Sequence, residues 1–232
     1  MSGVAPDTQV TPDSAKGSSN LYMRVVAALV LAPLTIVIAW LGGWIWACVV
    51  IAAAALLYFE WVMIVGVSGN RFAAAAGIVA LALAGVCLML RRADVAVAVI
   101  VAGILFAAAM TNGKRGWVAS GLVYAAAALV ATILVRRDAD LGFVALMFVL
   151  LVVWVTDIGG YFAGRGIGGP KLWPRVSPKK TWAGAIGGLV LALVIALGFA
   201  LFGFGRTVPL LLLGAVLSVV SQLGDLFESA VK

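Results

Sequence analysis

Long apolar segments follow one another along almost the whole chain, separated by short polar segments. The apolar runs reach the length that a helix needs to cross a bilayer, and they are continuous rather than alternating, which excludes a spanning β-barrel. The pattern predicts an all-α fold, a polytopic transmembrane helical bundle with about eight spanning helices. The predicted spans are 24–41, 44–65, 72–90, 95–111, 117–135, 141–162, 183–204 and 207–228.

Composition supports this class of protein. The chain is 65% hydrophobic and 11% charged, whereas a soluble domain carries about 25% charged residues. Residues 1–20 are rich in Ser, Thr, Asp, Pro and Gly, so they predict a disordered cytoplasmic tail. Residues 21–140 hold the N-terminal transmembrane helices, and residues 141–232 form a second transmembrane region with a basic cytoplasmic loop at 163–182.

Basic residues are distributed unequally between the two sides of the predicted bundle. With the N-terminus in the cytoplasm, the inside segments carry 11 of the 16 lysines and arginines, and the outside loops carry the other 5. The positive-inside rule therefore places both termini and the 163–182 loop in the cytoplasm. The net charge of +7 is explained by this asymmetry and by anionic lipid, so no nucleic-acid partner is expected.

Missing residue types narrow the possible chemistry. The absence of histidine excludes a Ser-His-Asp triad, a histidine-ligated metal and a histidine general base within these residues. Cys48 and Cys87 lie far apart inside apolar spans and are interpreted as small buried hydrophobic residues. Catalysis would then depend on carboxylates, cationic side chains, hydroxyls and a hard cation bound by oxygen ligands.

Four carboxylates lie within or at the ends of predicted spans: Glu60, Asp157, Asp225 and Glu228. Because an acid at the bilayer centre costs about 2.5–3.5 kcal/mol on insertion scales, each is a candidate functional residue. The predicted topology brings all four toward the cytoplasmic side. The alternative for any single acid is an interfacial, partly hydrated position without a function.

Residue spacing groups several polar side chains on helix faces. Ser221, Asp225 and Glu228 recur at three- and four-residue intervals in the last span, and Asp157 and Tyr161 share a face of the sixth. A polar stripe on a membrane helix must face protein or water rather than lipid. Both stripes therefore predict a polar site inside the bundle.

The segment 174-PRVSPKKTWAGAIGG-188 joins the sixth and seventh spans. Thr181 is the predicted N-cap of the seventh helix, whose N–H groups and positive dipole end would face the cytoplasmic loop. Cations and hydroxyls beside such an end suit a polyphosphate, whereas lysines that only anchor a helix at the interface are the alternative. The candidate phosphate-binding side chains are Lys171, Arg175, Ser177, Lys179 and Lys180.

Three blocks of sequence carry a family resemblance. The run 171-KLWPRVSPKKTWAGAIGG-188, with 157-DIGGYFAGR-165 before it and 221-SQLGDLFESAVK-232 after it, resembles the phosphatidate cytidylyltransferases, or CDP-diacylglycerol synthases. The resemblance implies transfer of a cytidylyl group from CTP to phosphatidic acid with release of pyrophosphate, and a requirement for Mg²⁺. We also expect a protein of the bacterial inner membrane whose active site faces the cytoplasm, with a homodimer as one candidate assembly, and on the resemblance 141–232 is the catalytic region.

On this resemblance, Asp225 is expected to bind Mg²⁺, with Asp157 and Glu228 as further metal candidates. The catalytic set is expected to be Asp225, Asp157, Lys179 and Lys180, and the substrate phosphates are expected to contact Lys171, Arg175, Ser177, Thr181 and Ser221.

Two further expectations concern the activity of this chain and an alternative function. The family signature continues past the block that ends at Lys232, so we expect this chain to insert in the membrane and bind CTP weakly, yet to turn over phosphatidic acid negligibly. The alternative function is a cation- or proton-coupled transporter, with Glu60, Asp157 and Asp225 as its relay.

Overall fold

The computed structural model describes residues 13–67, 69–111 and 113–231. Over these residues the chain forms eight helices and one antiparallel two-stranded hairpin. The elements are α1 (Asp13–Leu41), α2 (Gly43–Ile64), α3 (Arg71–Met89), α4 (Ala93–Ala109), α5 (Arg115–Arg137), α6 (Gly142–Gly166), β1 (Lys171–Trp173), β2 (Ser177–Thr181), α7 (Trp182–Leu201) and α8 (Thr207–Val231).

The prediction of an all-α, polytopic membrane protein is confirmed. Within the described residues, six helices are long and apolar enough to span a bilayer: α2, α3, α5, α6, α7 and α8. Helix α4 and the apolar part of α1, Val26–Leu41, are shorter. The 17 residues of α4 rise about 26 Å, which is slightly less than the thickness of the hydrocarbon core.

The chain divides into two compact units, residues 1–40 and 41–232. In the first unit, α1 begins at Asp13 and therefore includes residues 13–20, where a disordered tail was predicted. These polar residues are helical because each residue added to an existing helix gains one backbone hydrogen bond. This gain does not depend on apolar side chains. Residues 1–12 of the predicted tail lie outside the described residues.

The second unit contains two groups of packed helices. Helices α2 to α5 pack against one another, α6 packs closely against α7 and α8, and α5 contacts α6. Tyr58 and Leu122 are fully buried in the first group, and Phe148, Val152 and Ala192 form a core in the second. The outer faces of the spans expose large apolar side chains, as lipid-facing helices require.

The two cysteines differ from their expected burial. Cys48 is exposed and Cys87 is half-buried, so the interpretation of Cys48 as a buried residue is wrong. A thiol is apolar enough to be compatible with the lipid-facing side of a span.

Helices α6 and α7 approach so closely that their backbones nearly touch. A Cβ atom added at Gly184 would lie 2.7 Å from the carbonyl oxygen of Gly160, and one at Gly188 would lie 2.6 Å from that of Thr156. A Cβ atom at Gly187 would collide with Ala163. Glycine is required at these contacts because no larger residue fits.

The segment between α6 and α7 contains the hairpin, which the sequence pattern did not predict. Helix α6 continues past the predicted end of its span to Gly166, and the hairpin pairs Lys171 with Thr181 and Trp173 with Ser177. Pairing satisfies backbone groups that a plain loop would leave to water. The strand β2 leads directly into α7, so the hairpin is held at the end of the bundle where these two helices meet.

Candidate active site

A cleft of about 560 Å³ opens where α6, α7 and α8 meet the hairpin. Its volume lies within the range typical of small-molecule sites. Charged side chains of both signs border it, together with the first turn of α7. The lining residues are Thr156, Asp157, Gly160, Tyr161, Gly164, Arg165, Leu172, Lys179, Lys180, Thr181, Gly184, Ala185, Gln222 and Asp225.

The strongest polar contact in the cleft joins Lys180 to Asp225. The Lys180 Nζ atom lies 2.7 Å from Oδ2 of Asp225 and also approaches the carbonyl oxygen of Gln222 at 3.4 Å. The two side chains are 29% and 47% exposed. The ion pair therefore connects β2 to α8 while both charged groups stay accessible from the cleft.

Asp157 lies on α6 and borders the same cleft. Its carboxylate interacts electrostatically with both Asp225 and Lys180. The structure thus brings together two of the acids that the sequence identified, although they are 68 residues apart in the chain. Lys179 and Lys180 add positive charge from β2, so all four predicted catalytic residues line one cleft.

Arg165 is a cleft residue that the sequence analysis missed. Its guanidinium donates a hydrogen bond to the hydroxyl of Tyr161 at 2.8 Å and lies 6.0 Å from the centre of that ring. The signal was present in the sequence, because Asp157, Tyr161 and Arg165 recur every four residues and so share one face of α6.

The N-terminus of α7 borders the cleft, and the predicted N-cap at Thr181 is confirmed. Thr181 is buried and caps the helix, since its hydroxyl accepts a hydrogen bond from the backbone N–H of Gly184 at 3.1 Å. The residues Thr181, Gly184 and Ala185 all line the cleft. The positive end of the helix dipole is therefore directed toward this space, as suits an anionic ligand.

A polar network beneath the cleft connects the three helices. Thr156 donates to the hydroxyl of Ser218 at 3.1 Å, and both residues are buried. The side-chain amide of Gln222 donates to Ser218 and to the carbonyl oxygen of Ala185, each at 3.3 Å. The network fixes α6, α7 and α8 relative to one another and so fixes the geometry of the cleft.

A second cavity, of about 450 Å³, lies between α2, α5, α6 and α8. Glu60, Ser221 and Glu228 line it, and Asp225 borders both this cavity and the cleft. The remaining lining residues are Leu57, Trp61, Ile64, Tyr124, Val153, Leu217, Val220, Gly224, Phe227 and Val231. The four membrane acids therefore lie at the same end of the bundle, divided between two adjoining spaces.

The other predicted phosphate-binding residues do not line the cleft. Lys171 and Ser177 are strand residues and Arg175 is in the turn between the strands, and none of them lines the cleft. Ser221 and Glu228 line the second cavity instead. Arg175 and Ser177 lie toward the turn of the hairpin, whereas the lining residues Lys179, Lys180 and Thr181 lie at the end of β2 that meets α7.

The carboxylates of the cleft fit a Mg²⁺ ion that is shared with a phosphorylated ligand. In the described part of the chain, no group of three or more His, Cys, Asp or Glu side chains is placed to hold a metal. Mg²⁺ usually binds through one or two carboxylates together with substrate phosphates and water. Asp157 and Asp225 match this donor set, whereas Glu228 borders the adjoining cavity.

Together these features define a membrane protein with a cleft at one end of its helices that is lined by lysine, arginine and aspartate side chains. Residues 22–232 match the cytidylyltransferase family, and the chain belongs to this family. It is similar to the phosphatidate cytidylyltransferases of Brucella suis and Brucella abortus, each 42% identical over 222 residues, which cover 92% of this chain and 80% of the relative. It is also similar to the phosphatidate cytidylyltransferase of Bacillus subtilis, 39% identical over 125 residues, covering 53% of this chain and 46% of the relative.

Proposed function

We propose that this protein transfers a cytidylyl group from CTP to phosphatidic acid, giving CDP-diacylglycerol and pyrophosphate. The observation that carries the proposal is a single cleft in which Lys179, Lys180 and Arg165 face Asp157 and Asp225. The family and the names of the similar proteins support the same reaction. The cleft lies at the ends of membrane helices, where a lipid phosphate and a water-soluble nucleotide can meet.

The reaction is a direct displacement at phosphorus. An oxygen of the phosphatidic acid phosphate forms a new bond to the α-phosphorus of CTP. The bond between that phosphorus and the oxygen bridging to the β-phosphate breaks, and its electron pair leaves with pyrophosphate. No residue needs to form a covalent intermediate, so the protein acts by positioning the two phosphates and neutralising their charge.

The cleft residues provide these two functions. Lys179, Lys180 and Arg165 would contact the triphosphate, and the N-terminus of α7 would add backbone N–H donors. Asp225 and Asp157 would hold Mg²⁺, which when bound neutralises phosphate oxygens and makes the α-phosphorus more electrophilic. Because Lys180 already contacts Asp225, the lysine must adjust its position when a nucleotide enters.

The positions of the basic residues support one orientation of the protein in the membrane. The hairpin end of the bundle, which carries Lys179 and Lys180, would face the cytoplasm of a bacterial inner membrane, where CTP is available. Phosphatidic acid would reach the cleft from the bilayer. A homodimer is a further expectation, which the molar mass of the detergent-solubilised protein would test.

Activity measurements on a matched pair of variants test the proposal. In a form extended through the rest of the family signature, formation of CDP-diacylglycerol should require CTP, phosphatidic acid and Mg²⁺ together, and Lys179→Ala should reduce it at least tenfold, as loss of a charge-assisted phosphate contact predicts. Arg206→Ala is the control, because Arg206 lies in the exposed loop before α8 at the opposite end of the bundle. Product formation that is unaffected by Lys179→Ala would contradict the role of the cleft.

A coupled transporter is not favoured. The family and the similar proteins are transferases, and the four acids lie toward one end of the bundle, whereas transporter relays lie near the bilayer midplane. Ion uptake by vesicles that contain the protein, without CDP-diacylglycerol synthesis, would reverse this conclusion.

A further inference from the structure

The second cavity adjoins the cleft but has a different chemical character. Among the described residues that line it there is no lysine or arginine, and most of its walls are apolar or aromatic. Its charged groups are carboxylates, Glu60 and Glu228 together with the shared Asp225. A polyphosphate is therefore favoured in the cleft and disfavoured here, so the cavity suits an uncharged part of a ligand.

Aromatic side chains form one wall of the cavity. Phe227 stacks on Trp61 with ring centres 5.9 Å apart and planes inclined by 17°, and Tyr124 lies 6.3 Å from the same indole. Trp61 is buried and its indole N–H donates to the carbonyl oxygen of Trp117 at 2.8 Å, which fixes its orientation. Tyr124 and Phe227 are 52% and 51% exposed. A flat heterocycle can stack on such half-exposed rings.

The carboxylates of the second cavity favour a heterocycle that can donate a hydrogen bond. An ionised carboxylate only accepts hydrogen bonds. Cytosine presents an exocyclic amino group as a donor, whereas uracil presents a carbonyl oxygen at the same position. Glu60 and Glu228 are therefore suited to cytosine and disfavour uracil. A fatty-acyl chain would fit the apolar wall but would place two carboxylates against hydrocarbon, which is unfavourable.

We propose that the second cavity is the cytosine subsite of the protein. The base stacks on Tyr124 and Phe227, its amino group donates to Glu60 or Glu228, and the ribose passes Asp225 so that the phosphates enter the cleft. The shared border at Asp225 is what allows one nucleotide to occupy both spaces. This inference rests on the proposed function, since it concerns the nucleotide of that reaction.

Equilibrium binding to the detergent-solubilised protein tests the role of the carboxylates. Labelled CTP is bound in the presence of Mg²⁺ and displaced with CTP, UTP or inorganic tripolyphosphate. We expect CTP to bind at least tenfold more tightly than UTP, and Glu60→Gln or Glu228→Gln to reduce that ratio about tenfold. Displacement by tripolyphosphate should not change. Asp140→Asn, in the loop between α5 and α6 at the other end of the bundle, is the acidic control and should leave all three affinities unchanged.

A second pair of variants keeps the test independent of the carboxylates. Phe227→Leu removes the stacking surface and should weaken CTP and UTP equally, without affecting tripolyphosphate. Phe227→Tyr keeps the ring and should bind all three as the unsubstituted protein does. These outcomes together support a stacked base, because only the nucleotides carry one.

Several outcomes overturn the proposal. If the glutamine variants weaken CTP, UTP and tripolyphosphate to the same degree, the two acids act at the phosphates and no base lies beside them. If they change the preference for acyl-chain length of phosphatidic acid and leave the CTP-to-UTP ratio intact, the cavity holds lipid. Absence of Mg²⁺-dependent CTP binding in the unsubstituted protein would instead overturn the proposed function, and the cytosine subsite with it.

Discussion

Lys180 in the hairpin and Asp225 in the last helix form an ion pair of 2.7 Å across the candidate active site. The two residues come from sequence blocks more than 40 positions apart, and each was a candidate for a different role. Because both side chains remain partly exposed, the pair contributes about 1 kcal/mol or less to stability. For the proposed function, the pair would place a phosphate-binding cation beside a metal-binding carboxylate.

The first prediction concerns this pair. In a form extended through the rest of the family signature, Asp225→Asn should abolish cytidylyl transfer at ordinary Mg²⁺ concentrations, because a neutral amide is a poor ligand for a hard cation. Lys180→Ala should reduce transfer by more than tenfold while changing the free energy of unfolding by about 1 kcal/mol or less. Activity and thermal unfolding measured on the same preparations separate the two effects. Wild-type turnover in Asp225→Asn would contradict the metal assignment.

The second prediction concerns Arg165, whose guanidinium is held by Tyr161. Arg165→Ala should raise the KM for CTP about tenfold or more, as expected for loss of a charge-assisted hydrogen bond. Tyr161→Phe keeps the ring and removes the hydroxyl that accepts from Arg165, so its effect should be smaller and in the same direction. Steady-state kinetics with varied CTP measures both, with Arg206→Ala as the control. An unchanged KM in Arg165→Ala would show that this side chain does not contact the nucleotide.

The third prediction tests the close contact of α6 with α7. Gly184→Ala places a Cβ atom 2.7 Å from the carbonyl oxygen of Gly160, so the helices must move apart, at a cost of about 1–3 kcal/mol. Gly198→Ala is the matched control within α7, because a Cβ atom there meets nothing within 4 Å and alanine favours a helix by up to about 1 kcal/mol. The midpoint temperature of thermal unfolding in detergent should fall for Gly184→Ala and stay the same or rise for Gly198→Ala. Equal stability of the two would contradict the packing argument.

The fourth prediction concerns orientation in the membrane. In a background with Cys48 and Cys87 replaced by alanine, a single cysteine at Gly168 should resist an impermeant thiol reagent in intact cells, and one at Thr207 should react. Gly168 precedes the hairpin and Thr207 begins α8 at the other end of the bundle. The reverse labelling pattern would place the hairpin outside the cell and exclude a cytoplasmic CTP site.

The helices were predictable from the sequence because most of the apolar runs are long enough to span a bilayer and are ended by polar residues. The start of α7 was predictable too, since Thr181 is a good N-cap before a helical run. The hairpin was not, because strands of three and five residues leave no periodic pattern in a segment that is mostly polar and rich in glycine and proline.

The candidate site was predictable in its residue types but not in its division into two spaces. Spacing placed Asp225 and Glu228 on one face of α8, and charge suggested that Lys179 and Lys180 bind phosphate. Which of these residues share a space depends on how α2 and the hairpin pack against α8, and no local pattern encodes that. Packing alone separated Glu228 from the cleft.

The charged residues of α6 lie at different distances from the hairpin end of the bundle. Asp157 precedes Arg165 by two turns of α6. Its carboxylate position is therefore about 12 Å farther from the hairpin end along the helix axis than Arg165. Along α6, a solute that enters from the hairpin end therefore meets the guanidinium of Arg165 before it meets the carboxylate of Asp157. A bare divalent cation is repelled at this rim, whereas a nucleotide that already carries its counter-ion is attracted. We therefore expect CTP and Mg²⁺ to enter as one complex, so that the order of addition is set by the electrostatics of the entrance.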